Sequence, residues 1–426
     1  MSTRVPQDIA NAIVDPVVFG DPDRMHEAYG WLRRNMPLAV AEPEGFDPFW
    51  VVTRHADLLE VSRQNALFHN GDRPTTIVNR EGDQFVRRLT GGSPHLVRSL
   101  VQMDAPDHPK YRALTQSWFM PQNLRKIEDR VRAIAKSAVD RFLSRGSGTC
   151  DFVADVALGF PLHVVMDILG VPSEDEPRML RLTQELFGAQ DPDQARMMAM
   201  MDPEQIVMML KATVDDFQDY FSAISEDRRK TPREDLATVL ANSRIDGQPI
   251  PDFDMMSYYI IVATAGHDTT SSSTAGAVWA LARDPEQFDL VKKDPGLIPG
   301  LVDEAIRWTT PVKTFMRSAT EDTELAGQKI AKDDWLMLCY ASGNRDETVF
   351  EDPFRFRVDR KPNRHLAFGY GAHLCLGQHL AKMEMRLLFE ELIPRLKSLE
   401  LAGEPRTSQS TFVNGPKSLP IRYEIA

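Results

Sequence analysis

The stretch Phe368-Gly369-Tyr370-Gly371-Ala372-His373-Leu374-Cys375-Leu376-Gly377 sets one thiol among three glycines, just ahead of a long apolar-periodic run that opens at Gln378. Gly369, Gly371 and Gly377 permit backbone conformations that residues with side chains resist, so the segment can fold tightly and lie close against a flat partner. Its amide N–H groups can then turn toward the sulfur. A helix starting near Gly377 puts the positive end of its dipole beside Cys375, which favours the thiolate and lowers the thiol pKa. His373 adds a donor two residues before the sulfur. An isolated cysteine is ordinarily a small buried apolar residue. Glycines, an aromatic and a histidine at these offsets point instead to a shielded thiolate that ligates a metal.

The loop resembles the haem-binding loop of the cytochrome P450 family. The resemblance implies haem b (iron protoporphyrin IX) with Cys375 as its axial thiolate and with Phe368 and His373 at the cofactor. It also implies a mainly α fold with a minor antiparallel β region, the haem lying between a long central helix and the cysteine-ligand loop.

Composition agrees with a large soluble globule. The chain has 426 residues, 42% apolar and 26% charged, and no linker, repeat or low-complexity tract divides it, so one domain over residues 1–426 is expected. A net charge of -12 argues against nucleic-acid or anionic-membrane binding, both of which need a cationic surface. The N-terminus lacks the features of a signal peptide and no apolar run reaches the length of a membrane span, so a cytoplasmic protein is expected. Cys150, Cys339 and Cys375 are too few and too scattered for a disulfide framework, and the first two read as structural.

Apolar spacing of three and four predicts helices over Met25 to Arg34, Leu124 to Leu143, Pro203 to Ser225, Asp254 to Ala282, Pro285 to Lys292, Ile298 to Thr309 and Gln378 to Leu396. Asp284-Pro285-Glu286-Gln287 reads as an N-cap, a first-turn proline and a capping-box glutamine. Phe49 to Val52 and Leu325 to Tyr340 read as β, with turns at Gly45 and Gly327. Met197, Met198, Met200, Met201, Met208 and Met209 read as core filler or as a deformable lid over an apolar cavity.

Ala265-Gly266-His267-Asp268-Thr269-Thr270 interrupts the long central helix with residues that helix propensity disfavours. Ala265 and Thr269 share a face one turn apart, Thr269 can bond back to the Ala265 carbonyl, and a groove can open near Gly266. Asp268 supplies an adjacent acid. The pattern is similar to the family's acid-alcohol pair, which implies that Asp268 and Thr269 deliver protons and that Ala265 lies against the haem. His267 points away and reads as a packing or surface residue.

Glu304 and Arg307 can pair on one helical face, and with Arg355 in Pro353-Phe354-Arg355-Phe356 they resemble the family's buried Glu-Arg-Arg scaffold. His108 and Arg112, four apart, match its His-x-x-x-Arg propionate site, and Arg317 and His373 match two further donors. Trp118 reads equally as a neighbour of that edge or as core.

By family position, Ile77, Phe85, Phe187, Thr264, Ala265, Val312, Phe315, Phe412 and Val413 line the distal pocket. Mostly apolar or small, they suit a compact monoterpenoid or alkyl-substituted aromatic. The resemblance covers the chain from about Met25 onward and is closest to soluble bacterial members of the terpineol-hydroxylating branch. It implies a monooxygenase, expected as a monomer, that uses O2 and electrons from a ferredoxin and its flavin-dependent reductase. Arg125, Lys126, Arg132 and Lys136 offer a basic docking patch or a solvated face. A peroxide-dependent fatty-acid peroxygenase normally lacks the acid-alcohol pair, and a non-catalytic haem sensor would not need it; these are the competing readings.

Overall fold

A computed structural model describes residues 4–187, 191 and 202–426; the side chains of Phe187 and Pro203 lie outside this set. The helix Asp252–Arg283 runs through the middle of the larger core, apolar and buried on most of its faces. Against it pack the helices Gly159–Leu169, Ile298–Thr309 and Pro203–Lys230, while Gln378–Leu392 lies on Pro121–Leu143. Burial all round lets a helix abandon amphipathic spacing. That is why Gly159–Leu169, with Phe160 to Val165 almost continuously apolar, gave no periodic signal in the sequence.

A second core sits under a five-stranded sheet in the order Leu38–Ala41, Phe49–Val52, Trp335–Cys339, Thr314–Ala319, Phe68–His69. Trp335–Cys339 runs antiparallel to Thr314–Ala319, with Leu336 opposite Arg317, but parallel to Phe49–Val52, with Met337 opposite Val51. The other strand pairings of this sheet are antiparallel, as expected, and this last one is parallel. Both of its strands are buried along their whole length, as parallel strands covered on two faces are. The run expected over Leu325 to Tyr340 is broken into Thr323–Leu325, Gln328–Ile330 and Trp335–Cys339, because Ala326 and Gly327 both take positive φ in a tight hairpin.

Several helix bounds also differ. The helix expected to reach Leu396 ends at Leu392; Pro394 lacks the donor to continue it, and a strand starts at Leu396. Pro203–Lys230 extends five residues beyond Ser225 through polar residues. Burial of Arg228, paired with Asp235 at 2.6 Å and donating to the Gly170 carbonyl at 2.8 Å, fastens that end. Asp284 caps the Gln287 amide as expected, but the Gln287 side chain does not return to it: its Oε1 accepts the Val358 amide at 2.9 Å. Met197, Met198, Met200 and Met201 lie outside the described residues, while Met208 is exposed and Met209 half-buried on Pro203–Lys230. Among the described residues no helix is long and apolar enough to cross a membrane.

Candidate active site

The thiol-bearing loop closes on itself. The Cys375 amide donates to the Phe368 carbonyl at 2.9 Å and the Gly369 amide to Leu366 at 2.8 Å. Gly369 (φ 69°) and Gly371 (φ 74°) occupy the left-handed region. A Cβ on Gly371 would also fall 2.2 Å from the Ser62 carbonyl oxygen, so the loop rests directly on the helix His55–Arg63. Gly377 does not follow the expectation: its φ is -85°, which any residue can adopt. It caps Gln378–Leu392, and the amides of Gly377 and Gln378 both donate to the Cys375 sulfur.

These donors do not lower the thiol pKa below its ordinary value, as the sequence suggested. Burial is the larger effect and pushes it up, with the two amides and the Arg112 guanidinium offsetting part of the rise. A bound metal would complete the deprotonation.

Behind the loop lies a buried ion cluster whose membership corrects the sequence reading. Glu304 and Arg307 pair at 2.7 Å with no exposed surface. The second guanidinium on Glu304 is that of Arg360, its Nε 3.0 and 3.1 Å from the two carboxylate oxygens, and not that of Arg355. Arg355 is exposed and contributes its carbonyl, which accepts from Arg360 at 2.8 Å. Of three arginines within six residues, only Arg360 brings its guanidinium into the cluster, where it also finds the carbonyls of Glu351 and Asp352; Arg357 gives Glu304 its main-chain amide at 3.0 Å. Arg307 donates to the Asn344 carbonyl at 2.8 Å, and Asn344 Oδ1 accepts the Leu366 amide at 2.7 Å, tying the cluster to the start of the thiol loop.

His108, Arg112, Arg317 and His373 gather beside the loop. The rings of His108 and His373 lie 4.2 Å apart, and Arg112 donates to the Leu374 carbonyl at 2.8 Å. Arg317 is buried, bonded to the Met316 carbonyl at 2.7 Å. Burial, with Arg317 and His108 next, holds His373 down to about 2, so its ring is neutral. Neither Arg112 nor Arg317 has a carboxylate partner among the described residues. Two guanidiniums so placed call for anions, and the two propionates of a porphyrin supply that chemistry. Trp118 packs against the main core.

The central helix carries a partly exposed stripe: Ile261, Ala265, Asp268, Thr269 and Ser272, between the buried Ala263, Thr264, His267 and Thr270. The helix is unbroken at Gly266, where the sequence allowed a groove. The Thr269 hydroxyl donates to the Ala265 carbonyl at 2.8 Å, as its spacing predicts. His267 is a packing residue, wholly buried and bonded to the Leu158 carbonyl.

Of the residues assigned to the pocket, the structure brings Val312, Phe315, Phe412 and Val413 together. Val312 bridges Val413, and the rings of Phe315 and Phe412 meet edge to face at 5.2 Å. Phe85 is half-buried on the helix Arg80–Thr90 under the Arg88 guanidinium, which pairs with Glu204 at 2.6 Å. Ile77 is buried in the sheet core with Met316 and Trp335. Thr264 is buried, its hydroxyl bonded to the Ile260 carbonyl. The Phe187 side chain lies outside the described residues.

A mainly helical frame with a long central helix and a shielded thiol beside a cluster of cationic and imidazole side chains is the architecture of haem-thiolate oxygenases. Comparison with known proteins makes this specific: the cytochrome P450 family model matches residues 62–294 and 297–422, and the chain belongs to that family as a haem-containing monooxygenase. It is 49% identical to cytochrome P450-terp of a Pseudomonas species, over 99% of each chain. It is 34% identical to linalool 8-monooxygenase of Pseudomonas putida, over 93% of this chain and 95% of the other. The crystal structure of CYP108D1 from Novosphingobium aromaticivorans superposes with a TM-score of 0.92 at 50% identity, covering 99% of this chain and 100% of that one.

Proposed function

We propose that this monooxygenase hydroxylates a compact, mostly apolar molecule, a monoterpenoid or an alkyl-substituted aromatic, with Cys375 as the haem ligand and a separate ferredoxin as electron donor. The observation that supports the substrate reading is that Val312, Phe315, Phe412 and Val413, all apolar, come together as one wall. Relatives named for terpineol-type and linalool oxidation support it. The bound haem supplies the redox chemistry that splits dioxygen, one atom entering the substrate and the other leaving as water.

The chain's residues prepare that chemistry. Arg112, Arg317, His108 and His373 hold the propionates. The amides of Gly377 and Gln378 stabilise negative charge on the Cys375 sulfur. Thr269 spends its hydroxyl hydrogen on the Ala265 carbonyl, which leaves its lone pairs to accept from a proton-bearing group in the pocket. Asp268, adjacent and 20% exposed, links that hydroxyl to solvent.

For the electron donor, Arg132 and Lys136 are engaged by Glu390 and Asp140. Arg125 and Lys126 are the members of the basic patch left for an acidic carrier. Titrating the ferric protein with monoterpenoids, alkylbenzenes and fatty acids tests the substrate reading. A low-spin to high-spin change is expected with the first two classes; a full response to long fatty acids alone rejects it. Arg125→Glu with Lys126→Glu is expected to slow ferredoxin-driven turnover, and unchanged rates reject the docking surface.

A further inference from the structure

Three consecutive main-chain carbonyls beside the apolar wall are held from one neighbouring stretch of chain. Lys313 Nζ donates to the Ser410 carbonyl at 2.8 Å, the Thr314 hydroxyl to that of Thr411 at 3.0 Å, and the Lys313 amide to that of Phe412 at 2.8 Å. The Ser410 hydroxyl in turn accepts the amides of Phe412 and Val413 at 3.1 and 3.2 Å, so a displacement of Ser410 is passed to both wall residues. The same Nζ reaches back to the Phe19 carbonyl, also at 2.8 Å, at the end of the helix Pro16–Phe19. At the other end of the loop, a Cβ on Gly415 would fall 2.4 Å from Ser272 Cβ, so the loop rests on the central helix just beyond Thr269.

The Lys313 ammonium is wholly buried and has given up its hydration for two carbonyls. Asp191, itself bonded to Lys417 at 2.8 Å, is the carboxylate that favours its charge. An apolar side chain of the same length would fill the space without that cost. We propose that Lys313 is a positioning residue that sets substrate selectivity: its Nζ fixes Ser410, and through Ser410 the placement of Phe412 and Val413 against Phe315. The inference rests on the reading of that wall as part of the substrate pocket. A wall held in advance meets a compact apolar molecule without having to be ordered on binding, and it resists the outward shift that a longer molecule needs. Phe19 is the second anchor, which brings the N-terminal segment into the shaping of the pocket.

The test measures spectral dissociation constants of the holoenzyme for a monoterpenoid and for a long-chain alkylbenzene in Lys313→Met, Phe412→Ala and the double variant. Methionine is close to lysine in length and offers no donor. Lys313→Met is expected to keep its haem and thiolate, read from the carbon-monoxide spectrum of the reduced protein. Its Kd for the monoterpenoid is expected to rise roughly fivefold while that for the longer ligand falls or holds. A residue serving stability alone would lower the Tm and leave the ratio of the two constants unchanged. Because the effect runs through the wall, Lys313→Met is expected to change that ratio by less than about twofold once Phe412 is alanine. A ratio in Lys313→Met within about twofold of the parent, or an equal effect with and without the Phe412 ring, overturns the proposal. If Lys313→Met fails to retain haem, the parent decides. There the ratio is expected to narrow roughly twofold from about pH 6 to about pH 8.5, as Lys313, brought by burial to about 7, loses its charge and donates more weakly. Around it, burial keeps His26 neutral across this window, and Tyr29 and Cys339 are raised clear of it, Cys339 to about 12. A flat ratio in that series overturns the proposal. Phe412→Ala that leaves both constants unchanged overturns the pocket reading itself.

Discussion

Replacing Arg360 by alanine and, separately, Arg355 by alanine discriminates between the two arginines that the sequence leaves equivalent. Arg360 is 6% exposed. Its guanidinium contacts both oxygens of Glu304 and three main-chain carbonyls, those of Glu351, Asp352 and Arg355. Alanine leaves Glu304 with one guanidinium instead of two, and the three carbonyls lose that donor. Breaking a buried pair from one side costs about 3–5 kcal/mol. Arg307 still holds Glu304 through two 2.7 Å bonds, which places the expectation at the lower end, about 3 kcal/mol. That is a change of more than roughly a hundredfold in the folding equilibrium. Arg355 exposes its side chain and uses only its carbonyl, which alanine keeps, so Arg355→Ala should stay within about 0.5 kcal/mol. Urea unfolding of the holoprotein, followed by circular dichroism and by haem absorbance, measures both. Losses of equal size in the two variants would refute the assignment of Arg360 to the cluster.

Lys313 is wholly buried, donating to the carbonyls of Phe19 and Ser410 at 2.8 Å each, and burial brings its pKa from 10.5 down to about 7. Below about 7 both folded and unfolded chains carry the proton; between about 7 and 10.5 only the unfolded chain does, so this group makes stability rise with pH across that window. Lys313→Met should flatten the rise in a Tm series across pH, and an unchanged slope would contradict the burial argument. Gly266→Ala drives a methyl to 2.8 Å from Val165 Cγ2 and should destabilise by about 1–3 kcal/mol. Most of that loss should return in the double variant with Val165→Ala when chemical unfolding is measured. Phe315→Ala removes one ring of the 5.2 Å edge-to-face pair. The apparent Kd for a monoterpenoid should rise roughly tenfold while longer ligands gain, a loss of about 1.5 kcal/mol of apolar contact; spectral titration reads both.

Legibility in the sequence followed the kind of force at work. The thiol loop was readable because Gly369 and Gly371 answer local demands, positive φ and the seat against Ser62, that leave a residue-type mark. The helix Ile298–Thr309 was readable to the residue because one face is apolar and Thr310, at φ 44°, stops it. Arg360 was not readable: tertiary packing decides which of three arginines in a short loop turns its guanidinium to the Glu304 carboxylate. Nor was the parallel pairing of Phe49–Val52 with Trp335–Cys339, since strand direction depends on the intervening chain and not on the residues paired. His267 read as a packing or a surface residue, and the structure settles on packing, through the close helix crossing that Gly266 allows at Val165.

Arg98 joins Asp254 of the central helix to Asp107 at the start of Asp107–Gln116, and its own amide donates to Ser257. One guanidinium therefore fixes the spacing between the helix bearing His108 and the helix bearing Thr269, and displacing residue 98 would part the buried Asp254 carboxylate from its counter-ion.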